Sequence, residues 1–332
     1  MRGFVSETLI MAAGRTGEIL AALGITPNKR GAHIHCPFPA HADRNPSWRW
    51  DDREGRYYCT CGGGDILDLV IQMGRASSPY DAAGYVRRVL GLPGGDARAE
   101  TPAERAERRQ QIEAARIENE RRQAAADAAY DAETARRLAF AANLYAGSQP
   151  PDPLIRRYLD SRGIRCVPDL ARLVDYRGLP AMCLPFGLPT EPAPGRLAIR
   201  PTQIAGVHLT FLLPDGSGKA RDERGRSKIM IGRGHDMPLV LAPVNDGGGL
   251  VIAEGIEDAL TAHQLTGLGA WAAGAAVRLP GIARHVPRYV ECVTLIEDDN
   301  PAGRDGCRSL AKLLDARGID VLVERSEVRH AA

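Results

Sequence analysis

Cys36 and His41 lie close together near the start of the chain, and Cys59 and Cys61 follow after a stretch bearing Trp, Tyr and Arg. This constrains folding more tightly than any other feature. Four soft or borderline ligands in two close pairs, separated by a loop, are how a tetrahedral structural zinc ties two chain segments together. The alternation of His, Ile, Trp and Tyr between His33 and Cys61, broken by Pro46 and Gly55, predicts short antiparallel strands around the metal. His33 and His35 compete with His41 for the histidine role, although on an extended strand His35 points away from Cys36. A structural zinc contributes on the order of 10 kcal/mol to the folding of so small a unit.

Between the ligand pairs, Trp48, Trp50, Tyr57 and Tyr58 lie among Arg44, Arg49, Arg53 and Arg56. Aromatic faces beside guanidinium groups stack single-stranded bases and neutralise phosphates. A tiny domain also buries aromatics for want of other core. We expect Trp50 and Tyr57 inside, and Trp48 exposed as a DNA-stacking residue.

Near the C-terminus the chemistry changes from soft to hard. Leu250-Val251-Ile252-Ala253 has the apolar continuity of a buried parallel strand and delivers Glu254-Gly255. Val293 to Ile296 likewise delivers Glu297-Asp298-Asp299-Asn300, ahead of Ala302-Gly303-Arg304. All-oxygen donors suit magnesium or manganese. In open α/β sheets ligands bind beyond the C-terminal ends of the strands. Two strand-end carboxylates brought together repel unless a divalent cation sits between them. Gly255 and Gly303 would let nucleotide phosphates approach the backbone closely. A zinc module together with a carboxylate–magnesium site points to nucleic-acid chemistry.

The 332 residues allow two or three domains. The net charge is only +2, and nearly all positive charge is arginine, since Lys29, Lys219, Lys228 and Lys312 are the sole lysines. Of seven cysteines three belong to the zinc cluster; Cys166, Cys183, Cys292 and Cys307 lack framework spacing, as reduced thiols do. With no basic-then-apolar leader and no run long enough to span a bilayer, a soluble cytoplasmic protein without a membrane partner is expected.

Spacing predicts a short helix over Ser6 to Leu23 and another from Asp65, a good N-cap, to Met73. Thr101 to Tyr145, rich in Ala, Glu, Arg and Gln with no Gly or Pro after Pro102, predicts a long helix. Gly- and Pro-punctuated strands follow, including Met182 to Phe186 and Val207 to Leu213. After Gly247-Gly248-Gly249, strands and helices alternate: a small parallel sheet covered by helices. The expected architecture is multidomain, α+β and α/β. It comprises a small zinc-ribbon-like β domain over 1–95, a helical linker over 96–150, a mixed α+β segment over 151–246 and an α/β domain with a mostly parallel sheet over 247–332.

Glu254-Gly255-Ile256-Glu257-Asp258 resembles the E-G-x-x-D motif of Toprim domains in bacterial DnaG-type primases. Asp298-Asp299-Asn300-Pro301-Ala302-Gly303-Arg304-Asp305 resembles their D-x-D-x-A-G-R-D motif. The N-terminal segment is similar to the zinc-binding domain of the same primases. It shares C-P-F at Cys36, P-S at Pro46-Ser47, Y-x-C at Tyr57 to Cys59, and C-G-x-x-G-D at Cys61 to Asp65, one glycine shorter than usual. Both ends match one family in the expected order, most closely its compact members from phages, plasmids and other mobile genetic elements.

The resemblance implies a DNA-directed RNA polymerase of the primase type, a nucleotidyltransferase that makes short RNA primers from ribonucleoside triphosphates on single-stranded DNA during replication. Residues 151–246 would be the N-terminal part of the catalytic core and 247–332 the Toprim domain. By carry-over, Glu254 is the acid/base or metal-positioning carboxylate, Asp298 a magnesium ligand and Asp258 a supporting acid. Lys219, Arg221, Arg226, Lys228 and Arg233 would supply nucleotide contacts, Lys228 foremost, with Arg304 beside them. Asn300 stands where the family has the second acid of D-x-D, and Asp299 sits one position early; either Asp299 completes the magnesium set by a local shift, or Asn300 ligates through its carbonyl and metal affinity is reduced. The chain leaves no room for a helicase domain, which implies a separate replicative helicase as partner. Alternatives are a catalytically weak single-stranded-DNA-binding accessory protein and a Toprim nuclease.

Overall fold

The computed structural model describes residues 2–26, 33–43, 45–94, 101–151, 153–232, 234 and 236–325. Arg44 and Arg233, among the expected nucleic-acid contacts, lie outside them. The chain divides into two compact units, Met1–Asp131 and Ala132–Ala332.

In the first unit, α1 (Arg2–Ala12) and α2 (Thr16–Ala22) replace the single expected helix. Gly14 takes a φ of +76°, a left-handed conformation that ends α1 one turn before the apolar pattern resumes. Three short strands follow, β1 (Arg49–Asp51), β2 (Arg56–Cys59) and β3 (Gly62–Gly64), paired antiparallel in that order. Asp65 caps α3 (Ile66–Gln72) as expected: it accepts from Leu67 N and Asp68 N, while Asp68 accepts from the Asp65 N–H. α4 (Pro79–Val89) is capped by Ser78, and α5 (Pro102–Ala146) is the long helix. The unit boundary falls within α5.

The core of this unit gathers Ile19, Leu20, Leu69, Val70, Val86, Trp50, Tyr57 and Trp48. Trp48 is therefore not the exposed stacking residue expected. It is 0% exposed, bridges Ile34 backbone to backbone, and stacks on Tyr57 at 6.3 Å. The pleat explains this: Trp48 and Trp50 are two apart and share a face. The outward aromatic is Tyr58, half-buried, with the Arg49 guanidinium 4.8 Å from its ring centre.

The second unit opens with α6 (Pro153–Ser161), then β4 (Arg172–Tyr176), β5 (Leu179–Gly187), the hairpin β6 (Thr190–Ala193) and β7 (Arg196–Ala198), β8 (Ile204–Phe211), β9 (Lys228–Gly232) and β10 (Leu239–Ala242). There follow β11 (Gly249–Ala253), α7 (Ile256–Thr266), β12 (Gly269–Ala272), α8 (Leu279–Ile282), β13 (Cys292–Glu297), α9 (Pro301–Asp315) and β14 (Asp320–Arg325). Among the described residues one nine-stranded mixed sheet runs β14-β13-β11-β12-β10-β5-β8-β9, with β4 also on β5. β14, β13, β11 and β12 are parallel; the remainder pair antiparallel.

Both faces of β11 are covered, which is why its sequence is apolar without a break. Val251 and Ala253 pack with α6 and α7 through Ile155, Leu159, Ile256 and Leu260, whereas Leu250 and Ile252 pack with α8 and α9 through Leu279, Leu310 and Leu314. No helix among the described residues is long and apolar enough to cross a membrane.

Replacing Trp48 by Ala should cost about 3–5 kcal/mol, the range for deleting a buried aromatic. Urea titration followed by hydrogen exchange should show the loss in the first unit alone; an effect under about 1 kcal/mol would mean the indole is not core.

Candidate metal and carboxylate sites

Cys36, His41, Cys59 and Cys61 come together with ligand atoms all within 4.8 Å of one another. A tetrahedral zinc with Zn–S of about 2.3 Å and Zn–N of about 2.0–2.1 Å requires edges of about 3.8 Å between two sulfurs and about 3.5 Å between sulfur and nitrogen. Cys36 Sγ lies 3.8 Å from Cys61 Sγ, and His41 Nδ1 lies 3.5 Å from Cys59 Sγ. The donor set fits zinc in type and in spacing. Three thiols this close do not ionise independently: burial first, then the neighbouring sulfurs, push Cys36 up to about 12. Although burial opposes it, the Cys61 N–H and the Ser47 hydroxyl draw Cys59 down to about 6. His35 lies instead on Asp43, its Nδ1 3.1 Å from Oδ1, so His41 takes the histidine role.

The second constellation lies where β11 and β13 end. Ala253 pairs with Ile296 in parallel register, so Glu254 and Glu297-Asp298 emerge at the same end of adjacent strands. Burial raises the Glu254 carboxyl above its ordinary value; the Asp298 charge raises it further, and the Lys228 ammonium opposes both. Glu254, Glu297 and Asp298 all act on the buried Cys307 thiol, which burial and these charges push up to about 12. Among the described residues, the cluster of three or more candidate metal ligands is the Cys/His one, not these acids.

Glycine lets the turns close around this site. A Cβ on Gly255 would stand 2.5 Å from Asp258 Oδ2, and one on Gly303 would stand 2.9 Å from both Asp298 Cβ and its carbonyl oxygen. Asp258, in the first turn of α7, is 3% exposed and adds to the field that raises Glu254. Lys228 donates to the Gly274 carbonyl at 3.2 Å, while Gly274 N donates to the Glu254 carbonyl at 2.9 Å. Three expected residues, Glu254, Asp298 and Lys228, therefore share one neighbourhood.

Other expected contacts are engaged elsewhere. Asn300 caps α9, its Oδ1 accepting from Gly303 N at 2.9 Å. Asp299 is 86% exposed and pairs with Arg304 at 2.8 Å. Arg226 holds Asp222 within its own loop through two hydrogen bonds of 2.9 and 2.7 Å. Lys219 is the larger departure: its Nζ lies 2.8 Å from Glu257 Oε1, to which the buried Tyr158 hydroxyl also donates. Burial would raise Glu257, but the Lys219 ammonium and Tyr158 outweigh it and bring the carboxyl down to about 2. His208, 3% exposed, is held neutral by burial and then by the Lys228 charge, which lower it to about 3. Glu257, Tyr158 and His208 were not anticipated from sequence. The only signal was an acid at an otherwise apolar helix position.

No protein-family model matches the chain. Among solved structures it is similar to the Aquifex aeolicus primase (zinc-binding and RNA polymerase domains), with 15% identity over 97% of this chain and 80% of that one and a TM-score of 0.36. It is also similar to the primase fragment of the bacteriophage T7 primase-helicase protein, with 16% identity over 51% of this chain and 61% of that one and a TM-score of 0.31. These structural neighbours are bacterial and phage primases.

Two outcomes follow from the site geometry. Chelation should abolish hydrogen-exchange protection around residues 33–70 and leave the second unit protected; protection unchanged after verified zinc removal would contradict a structural metal. Glu257→Gln should lower stability by about 3 kcal/mol at neutral pH, since it strands Lys219. Because the folded carboxyl lies at about 2 against an ordinary 4.5, wild type's advantage is present above about 4.5 and is lost as pH falls towards 2. Thermal melts of both proteins across that range check it, and a gap independent of pH would contradict the pairing.

Proposed function

We propose that the chain is a DNA primase, with 247–332 as a Toprim domain, 151–246 as the start of its catalytic core, and 1–95, joined through the helical segment 96–150, as a zinc-binding DNA module. The observation that carries this reading is the meeting of Glu254 and Asp298 at the ends of adjacent parallel strands with Lys228 beside them. Template-directed synthesis needs a hydroxyl deprotonated and a triphosphate's charge offset at one place. Glu254 and Asp298 would hold a magnesium or manganese ion, which would lower the pKa of the attacking 3′-hydroxyl and offset phosphate charge.

In this mechanism the 3′-oxygen of the growing primer attacks the α-phosphorus of the incoming ribonucleotide, and pyrophosphate leaves. Glu254 accepts or directs the hydroxyl proton, which its raised pKa suits it to do. Lys228, whose charge acts on Glu254, would face the phosphates. Asp258 braces the Gly255 turn, so the Glu254 backbone keeps its place when charge moves. Arg49 and Tyr58, rather than Trp48, offer the stacking and phosphate contacts of the zinc module. A separate helicase would open the duplex.

A second reading, a DNA-binding accessory protein with little catalysis, is favoured by the engagement of Asn300 in the α9 cap and of Asp299 with Arg304.

Incubation with single-stranded template, labelled ribonucleotides and magnesium separates the readings. Short RNA that disappears in Glu254→Ala and in Lys228→Ala is expected, with a rate that rises as pH passes upward through the elevated Glu254 pKa. A gel shift without synthesis would establish the accessory reading, and template fragmentation would establish a nuclease. Asn300→Asp should increase synthesis at low magnesium if the missing charge limits metal affinity.

A further inference from the structure

Asp43 lies outside the four zinc ligands, yet it is the most heavily hydrogen-bonded acid of the first unit. Its side chain is 7% exposed. Its Oδ1 accepts from the Cys36 N–H at 3.1 Å, and Oδ2 from the Ser47 N–H at 3.0 Å and the Ser47 hydroxyl at 2.7 Å. His35 Nδ1 approaches Oδ1 to 3.1 Å; since an ionised carboxylate only accepts, the imidazole donates. One carboxylate thereby fixes the backbone at a ligand of the first pair and at the start of the strand that leads to the second. The Ser47 hydroxyl also lies 3.1 Å from Cys59 Sγ.

That hydroxyl has one proton and two acceptors within reach. Asp43 keeps three other donors when the proton turns away, so Ser47 is free to donate to the Cys59 sulfur once that sulfur carries charge. A metal-bound thiolate calls for such a donor, because the metal leaves excess negative charge on the sulfur. The geometry points to Asp43 as the positioning residue of the zinc site: it acts on Cys36 through the main chain and on Cys59 through Ser47, and holds the two ligand pairs at zinc spacing. This rests on zinc occupying the Cys36, His41, Cys59 and Cys61 cluster. Asp43 touches no ligand-metal bond itself. Residues in this relation to a metal set its affinity by about 10–100-fold.

Full-length protein titrated with zinc against a chromophoric chelator tests the assignment. Asp43→Asn, which keeps shape but turns an amide N–H₂ towards the Cys36 and Ser47 donors, should weaken zinc binding by about 100-fold. Ser47→Ala keeps the backbone N–H to Asp43 and removes only the Cys59 arm, so about 10-fold is expected. Should Asp43→Asn fail to fold, Ser47→Ala alone decides. Ser78→Ala, which removes the α4 cap away from the cluster, should lower stability and leave zinc affinity at the wild-type value. In cobalt-substituted protein, the visible ligand-field bands should shift in Asp43→Asn and stay unchanged in Ser78→Ala. Wild-type zinc affinity in the Ser47 and Asp43 variants, or an equal loss in Ser78→Ala, would overturn the assignment. Wild-type protein that binds no zinc would instead overturn the metal site itself, a failure visible before any variant is made.

Discussion

The mutual repulsion of Glu254 and Asp298 organises the second unit. Adjacent parallel strands lie about 4.8 Å apart, so two acids at neighbouring strand ends meet whether or not their charges favour it. Burial makes the encounter more costly, and the fold answers by bringing a cation across the sheet. Lys228 belongs to β9, which three strands separate from β12 in the sheet order. In a flat sheet that is about 19 Å. Its ammonium nevertheless donates to Gly274, just past β12. The antiparallel half must therefore curl back towards the strand ends. Register shifts between Phe186 and Gly187 and between Val240 and Ala242 mark where β5 and β10 bend. Gly274, with a φ of +81°, lies against Phe186, Met230 and His208 at the inside of that curl.

Around this cation–acid meeting the remaining buried charges are kept separate by pairing. Glu257 is satisfied by Lys219 and Tyr158, which join α7 to the loop after β8 and to α6. His208 stays neutral because burial and Lys228 both disfavour its proton. A charged imidazole there would be repelled by the Lys228 ammonium, and its neutrality leaves that charge to the acids. Burial thus sorts the polar groups of one small region into a pair that fixes the helix start and a set of strand-end acids with Lys228 beside them.

Elements whose periodicity is uninterrupted were legible in sequence: α5, β11 and β13 fall within a few residues of their expected bounds, α7 and α9 follow the expected strand–helix alternation, and Asp65 caps α3. The strand ends were legible for the same reason, since a charged residue closing an apolar run marks where a buried strand emerges. Trp48 departs from its expected exposure because the pleat that buries Trp50 also buries the residue two before it, and this period-two relation outweighs the arginines around it. Glu257 was beyond reach because its partners Lys219 and Tyr158 are 38 and 99 residues away in sequence, and no local pattern links them. The curl of the sheet was equally hidden, because register shifts depend on pairing rather than on the composition of either strand.

Asn300 shows how one position serves two demands. As the cap of α9 it needs an oxygen that accepts the Gly303 N–H, and Asn and Asp meet that need about equally. As a metal ligand it would need charge, which only Asp supplies. The cap places the N-terminus of α9, the positive end of its dipole, beside the acids that end β13. Gly303 packs against Asp298 in that first turn, so the helix dipole acts on this carboxylate. A neutral cap keeps that field whole, whereas a third carboxylate would spend part of it on itself. In the proposed primase reading, Asn300 thus trades charge at the metal for an undisturbed helix dipole at the same strand end, and a divalent cation would rest on Glu254 and Asp298.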